Sequence, residues 1–157
     1  MKKRTAFIGA ILSLIPFGQP LLIKTGVVLS TTGLMSIMTK KVIAETADFY
    51  NDRGNQKYSR KDYYGAISDF TKAIEIDADR AMIYANRAAA KGDINDHYGA
   101  ISDFTKAIEI DPKEAMFFTL RGNDKKLLGD QNGACLDWGK ASLLGDKLAK
   151  VWLKEQC

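Results

Sequence analysis

"YGAISDFTKAIEID" stands at Tyr64–Asp77 and again, letter for letter, at Tyr98–Asp111, a spacing of 34 in a chain of 157 residues. An identical block at a fixed spacing points to a duplicated structural unit, and its apolar pattern is helical. Ala66, Ile67, Phe70, Ala73 and Ile74 fall at offsets 0, 1, 4, 7 and 8, which share one face of a 3.6-residue helix. Ala100, Ile101, Phe104, Ala107 and Ile108 repeat that face, and Ala134, Cys135, Trp138, Ala141 and Ser142 repeat it more loosely. Extended outward in steps of 34, the chain tiles without gaps into Ala47–Arg80, Ala81–Glu114 and Ala115–Leu148. Each unit reads as two amphipathic helices about a short turn. Pro112 closes the second where a helix cannot continue, and no useful length of β-like alternation competes.

Paired helices at a period of 34 resemble the tetratricopeptide repeat (TPR) family. That family carries an aromatic at unit position 4, here Tyr50, Tyr84 and Phe118, and a small residue at position 8, here Gly54, Ala88 and Gly122. It carries alanine at 20 (Ala66, Ala100, Ala134), an aromatic at 24 (Phe70, Phe104, Trp138) and alanine at 27 (Ala73, Ala107, Ala141). Of its proline at position 32 only Pro112 is present; Ala78 and Asp146 stand there in the outer units, which leaves their loop geometry open. The resemblance covers residues 47–148. It implies an all-α, right-handed superhelix of three helix-turn-helix units. Gly or Ala at positions 8 and 20 allows close helix approach, and the aromatic at 24 fills the gap to the next unit. One such unit cannot bury its own apolar face, so about three are needed for stability, and the open edge of the third needs a cap. Residues 146–156 read as that capping helix, with Leu148, Val151, Trp152 and Leu153 as its apolar stripe, opposed by Lys147, Lys150, Lys154 and Glu155.

Charged residues recur with the same period. Arg53, Arg87 and Arg121 each stand 16 residues before Asp69, Asp103 and Asp137, across the two helices of one unit. Three coincidences of opposite sign predict a shielded, bidentate ion pair in every unit, because the guanidinium fork matches a carboxylate; three solvated surface pairs are the bland alternative. Lys57, Lys91 and Lys125 also recur and are expected to lay their aliphatic stems over apolar surface with the ammonium in water.

The net charge of +4 divides unevenly along the chain. Residues 1–44 hold six basic residues and no acidic one, leaving 17 basic against 19 acidic for 45–157. A body of slightly negative charge without a basic stripe lacks the footprint of phosphate-backbone binding, and nucleic acid is not an expected partner. "MKKR", the apolar stretches that follow and "VIA" at 42–44 make a leader. Two readings stay open: a signal peptide cleaved before Glu45, or a retained membrane anchor acting through residues 5–38. Either places the 45–157 domain in the periplasm or another extracytoplasmic compartment. There a Cys135–Cys157 disulfide would staple the cap to the third unit; otherwise Cys135 packs as a buried thiol and Cys157 frays.

Chemistry is sparse. One histidine, His97, and two cysteines cannot assemble an ordinary zinc site, and His97 reads as a packing or loop residue. "GACLDWGKAS" has five residues between Gly133 and Gly139 and Ala141 after Lys140, so it is not a phosphate loop. No catalytic residue and no cofactor is expected. The resemblance implies instead a groove lined by the first helices, holding an extended peptide or partner segment. Its inward positions offer Asp48, Asn51, Asn55 and Tyr58; Met82, Ala85, Asn86 and Ala89; and Met116, Thr119, Asn123 and Lys126. One branch of the family clamps a terminal carboxylate with basic residues and two asparagines. Asn55 and Asn86 match the asparagines, but Asn51, Met116 and Leu120 stand where basic residues are required. The expectation is a protein-interaction module with an unidentified peptide or protein partner, as an assembly factor or scaffold. A membrane-anchored spacer or self-associating unit is the alternative.

Overall fold

The helix starts are set by an Asp-x-x-Gly step that recurs with the repeat. Asp62, Asp96 and Asp130 each accept a hydrogen bond from the backbone N–H three residues on, at Gly65, Gly99 and Gly133, over 3.0, 3.0 and 2.8 Å. A Cβ on any of these glycines would collide with the capping carboxylate, so the cap and the glycine belong together. In the computed structural model, which describes residues 46–157, these caps open the second helix of each unit. The leader, its cleavage point and its membrane role lie outside the described residues. The order is α1 (46–59), α2 (Tyr63–Ile76), α3 (Ala81–Asp93), α4 (His97–Ile110), α5 (Ala115–Leu127), α6 (Gln131–Leu143) and α7 (Lys147–Gln156), with no strand among the described residues.

Within each unit the two helices are joined by a turn through one left-handed residue, Lys61, Asn95 or Gly129, at φ 63°, 63° and 84°. The following N–H, of Asp62, Asp96 or Asp130, bonds back to the carbonyl of Lys57, Lys91 or Lys125, which satisfies the helix C-terminus. Between units the chain passes through Asp77 and Asp111 in the same extended conformation, so Ala78 serves as well as Pro112. Only the third unit departs. Gly145 at φ 102° repeats the within-unit turn, and Asp146 caps α7.

Three apolar clusters lie in series. Ala66, Phe70, Ala73 and Ile83 form one; Tyr84, Ala88, Phe104 and Phe117 the next; Phe118, Ala134, Trp138 and Ala149 the last. Ile74 packs on both of the first two and Ile108 on both of the last two, so one isoleucine per junction links neighbouring cores. The third unit, followed among the described residues by α7 alone, has Ser142 at that place. The converse holds one position inside the first helices. Ile83 and Phe117 are 1% exposed against the preceding unit, while Phe49, which has no preceding unit among the described residues, is 58% exposed.

The cap spans the expected residues, but its apolar stripe is rotated. Leu148 is 63% and Val151 46% exposed, whereas Ala149 is buried and Trp152 and Leu153 pack on the last cluster. The reason is register. Ala149 and Trp152 continue, at a period of 34, the series Ala47, Ala81, Ala115 and Tyr50, Tyr84, Phe118, so α7 packs as the first helix of a further unit would.

Candidate functional site

The recurring arginines and aspartates form three ion clusters, each around a buried aspartate. Arg87 donates Nε to Asp103 Oδ2 at 2.8 Å and a terminal nitrogen to Oδ1 at 2.7 Å. Arg121 makes the same fork on Asp137 at 2.9 and 2.7 Å, and Arg53 on Asp69 at 2.7 and 2.6 Å. The lysines depart from expectation. Lys57, Lys91 and Lys125 do not hold their ammonium groups in water; each reaches the same aspartate, at 2.9, 2.8 and 2.8 Å. A buried carboxylate has more lone pairs than one guanidinium fork fills, and the lysine supplies the missing donor. Arg53, then Lys57, hold the Asp69 carboxyl down to about 2. The remaining guanidinium nitrogen of Arg87 and Arg121 donates to Thr71 and Thr105 of the preceding unit, at 3.1 and 3.0 Å. Arg87 and Arg121 therefore each join their own hairpin and rivet it to the one before. No buried side-chain polar atom among the described residues lacks a partner. With the aspartates 1–5% exposed, these clusters are architecture and leave nothing for a ligand.

The side of the array available to a partner is set by the first helices. α3 touches α5 directly, two elements on, and no pair of second helices approaches as closely, so α3 and α5 form the inner side of the stack. On it the Asn86 amide donates to Asn51 Oδ1 at 3.2 Å and Asn55 Oδ1 at 3.3 Å, joining the first two units. Met82 and Met116 stand exposed on the same helices, at 48% and 39%. Asn123 accepts the Trp138 indole N–H at 3.1 Å, and Lys126 donates to Gln156 of α7.

Other residues expected in the groove are committed elsewhere. Thr119 is 6% exposed, and its hydroxyl donates to Asp146 Oδ2 at 2.6 Å. It holds the N-cap of α7, lowers the Asp146 carboxyl and is not open to a ligand. Ala85 is buried, and Asp48 is paired with Arg80. The Tyr58 hydroxyl donates to Asp93 across the unit junction at 2.6 Å, which pushes the phenol up to about 12. His97 has a packing role, with its ring Nδ1 2.8 Å from Asp124 Oδ1. Burial raises the Asp124 carboxyl, against the opposing pull of His97. Sequence reading missed Thr71, Thr105 and Gln156. The threonines carried a visible mark, since both lie inside the duplicated block; Gln156 carried none.

Cys135 and Cys157 form a disulfide across 22 residues, with Cα atoms 5.9 Å apart. Among the described residues no group of His, Cys, Asp and Glu is placed to hold a metal, and no helix is long and apolar enough to cross a membrane.

No curated protein sequence matches this chain. The tetratricopeptide repeat family model matches residues 81–114, the second unit to the residue. The TPR domain of Arabidopsis OM64 is 31% identical, with a TM-score of 0.69 over 73% of this chain and 96% of that one. The second TPR domain of human RPAP3, solved with the HSP70 peptide SGPTIEEVD, is 32% identical, with a TM-score of 0.66 over 73% of this chain and 95% of that one. The Yersinia enterocolitica type III secretion chaperone SycD, solved with a peptide of the translocator YopD, has a TM-score of 0.67 at 15% identity over 70% of this chain and 91% of that one, a likeness of fold alone. A helix-pair period of 34, kept through caps, cores and ion clusters alike, and shared at this identity over nearly the whole of two TPR domains, makes this chain a member of the tetratricopeptide repeat family.

Proposed function

We propose that the chain is a protein-interaction module that holds an extended peptide or partner segment along the inner side of α1, α3 and α5, outside the cytoplasm, as a scaffold or assembly factor. The observation that carries this reading is the Asn51–Asn55–Asn86 amide cluster flanked by exposed Met82 and Met116. Amides can pair with a peptide backbone whatever its sequence, and methionine adapts to varied side chains. The RPAP3 domain, 32% identical, binds its HSP70 peptide as a TPR domain. An acidic chaperone tail is not the ligand expected here, because Asn51, Met116 and Leu120 replace the cations that would clamp it. The extracytoplasmic location draws support from the basic, apolar leader and from the disulfide, which persists in oxidising compartments. Sequencing the N-terminus of the mature protein separates cleavage before Glu45 from a retained anchor.

A second reading, a spacer or self-associating unit working through its outer side, is favoured by the exposed apolar residues Leu136, Leu143, Leu148 and Val151. Photo-crosslinkers placed at Asn86 and Met116, and at Leu136 as the outer control, decide between the two. Capture at the inner positions is the expected outcome; capture at Leu136 alone sinks the groove reading.

A further inference from the structure

Where the last hairpin meets the closing helix, a cavity of about 320 Å3 opens between Asn123, Lys126, Leu127, Trp138, Trp152 and Gln156. We propose that it is the specificity pocket of the peptide-binding face, taking a large apolar side chain that is followed directly by a carboxylate. The proposal rests on the reading of the inner side as a peptide site and names the peptide's chemistry.

Its polar groups are of one kind. The Asn123 amide oxygen is occupied by the Trp138 indole N–H, and the Gln156 amide oxygen by the Lys126 ammonium. Both NH2 groups are left without a partner among the described residues, beside a lysine that likewise has no carboxylate there. Neighbouring Lys125 differs, since its charge is matched by Asp137 at 2.8 Å. Three donors, one of them a lysine whose charge is met only by the Gln156 amide oxygen and by the face of Trp138, 5.8 Å from its Nζ, call for an acceptor-rich anion, and a carboxylate meets that description. The apolar wall is built from Leu127, 67% exposed, and Trp152, whose ring lies 5.7 Å from that of Trp138. A cavity of this size lies at the small end of ligand sites, about 300–1,000 Å3, and suits one or two side chains better than a cofactor. The far wall, α7, is pinned by the Cys135–Cys157 disulfide and by the Gln131 side chain, which donates to the Gln156 carbonyl at 2.7 Å. The pocket is thus preformed.

Trp138 and Trp152 are the chain's two tryptophans, so indole emission reports on this pocket alone. The full chain, disulfide intact, is titrated with acetyl-Gly-Phe-Glu-amide, acetyl-Gly-Phe-Gln-amide and acetyl-Gly-Ala-Glu-amide. The expected result is a saturable change with the first, and affinity weaker by roughly fivefold for each of the others. Lys126→Gln, at an exposed position, is expected to abolish the preference for Glu over Gln and keep that for Phe over Ala. No saturable change with any peptide, or equal affinity for the Glu and Gln peptides, overturns the proposal. If the Asn86 crosslinker still captures a partner in that case, the pocket falls and the groove reading stands. If it captures nothing, both fall.

Discussion

At the scale of single residues, the three ion clusters differ in one respect that decides their worth. Asp69, Asp103 and Asp137 are alike in burial, but the Arg53 side chain is 39% exposed while Arg87 and Arg121 are 17% and 16% exposed. The cause is position: Arg87 and Arg121 are covered by a preceding unit and bonded to its threonine, and Arg53 has no such unit before it among the described residues. A charge pair in contact with water loses most of its value to solvent, and a shielded, fully bonded one keeps it. Double-mutant cycles read by urea unfolding are therefore expected to give a coupling of about 2 kcal/mol for Arg87 with Asp103 and a clearly smaller one for Arg53 with Asp69. Equal couplings would show that the preceding unit contributes nothing. Asp69 also predicts an acid response. Its carboxyl sits at about 2 in the fold against 3.8 for the ordinary group, so its stabilisation is complete above the ordinary value and is lost as pH falls toward 2. The stability gap between the native chain and Asp69→Asn should be nearly constant from pH 7 to 5 and narrow steadily between pH 4 and 2. A gap undiminished at pH 2 contradicts the assignment.

At the scale of elements, helix contacts depend on matched small and large residues. A Cβ at Gly122 would lie 2.8 Å from Trp138 Nε1, and one at Gly54 2.6 Å from Phe70. The second unit has Ala88 at this place against Phe104, so the smallest residue is needed where the facing ring leaves no room. Gly122→Ala gains up to about 1 kcal/mol of helix propensity but overpacks a ring that is 1% exposed and tied to Asn123, at a cost of about 1–3 kcal/mol. A net loss is expected in the urea midpoint, and a gain would mean that Trp138 can move aside. Lys61 offers the opposite case. It holds φ 63° where the third unit uses Gly129, so Lys61→Gly should raise stability by about 1 kcal/mol in the same measurement. Most of this architecture was legible in the sequence because a fixed period exposes each contact three times: the Arg–Asp forks, the small and aromatic positions and the turns all repeat. What was not legible occurs once, or depends on the sum of donors around a group. The lysine ammonium groups were assigned to water because spacing does not reveal how many lone pairs a buried aspartate has left. Thr119 was assigned to the groove because its partner, Asp146, exists only at the departure from the repeat. The peptide-facing residues were named from register alone, and register does not tell an asparagine bonded to its neighbours from one awaiting a ligand.

At the scale of the molecule, the three cores form a chain whose links are Ile74 and Ile108, and in such an array each unit is stabilised chiefly by its neighbours. α7 is the exception. It packs against α6, carries half of a repeat and exposes Leu148 and Val151, so its burial alone is the weakest in the stack. The disulfide offsets this by closing a loop of 22 residues, which in the chain-entropy account is worth about 3 kcal/mol. Reduction should therefore act first on the end of the stack. Hydrogen exchange under reducing conditions is expected to show α7 amides losing protection by two to three orders of magnitude, while α2, whose Ala66, Phe70 and Ala73 lie two cores away, keeps its own. Because Trp152 is packed on Trp138 by the same helix, emission should shift to the red in step with that loss. Protection falling uniformly through all the described helices would instead mean that the cap and the three hairpins melt as one unit. α7 would then be part of the cooperative core and not a strap secured by a covalent bond.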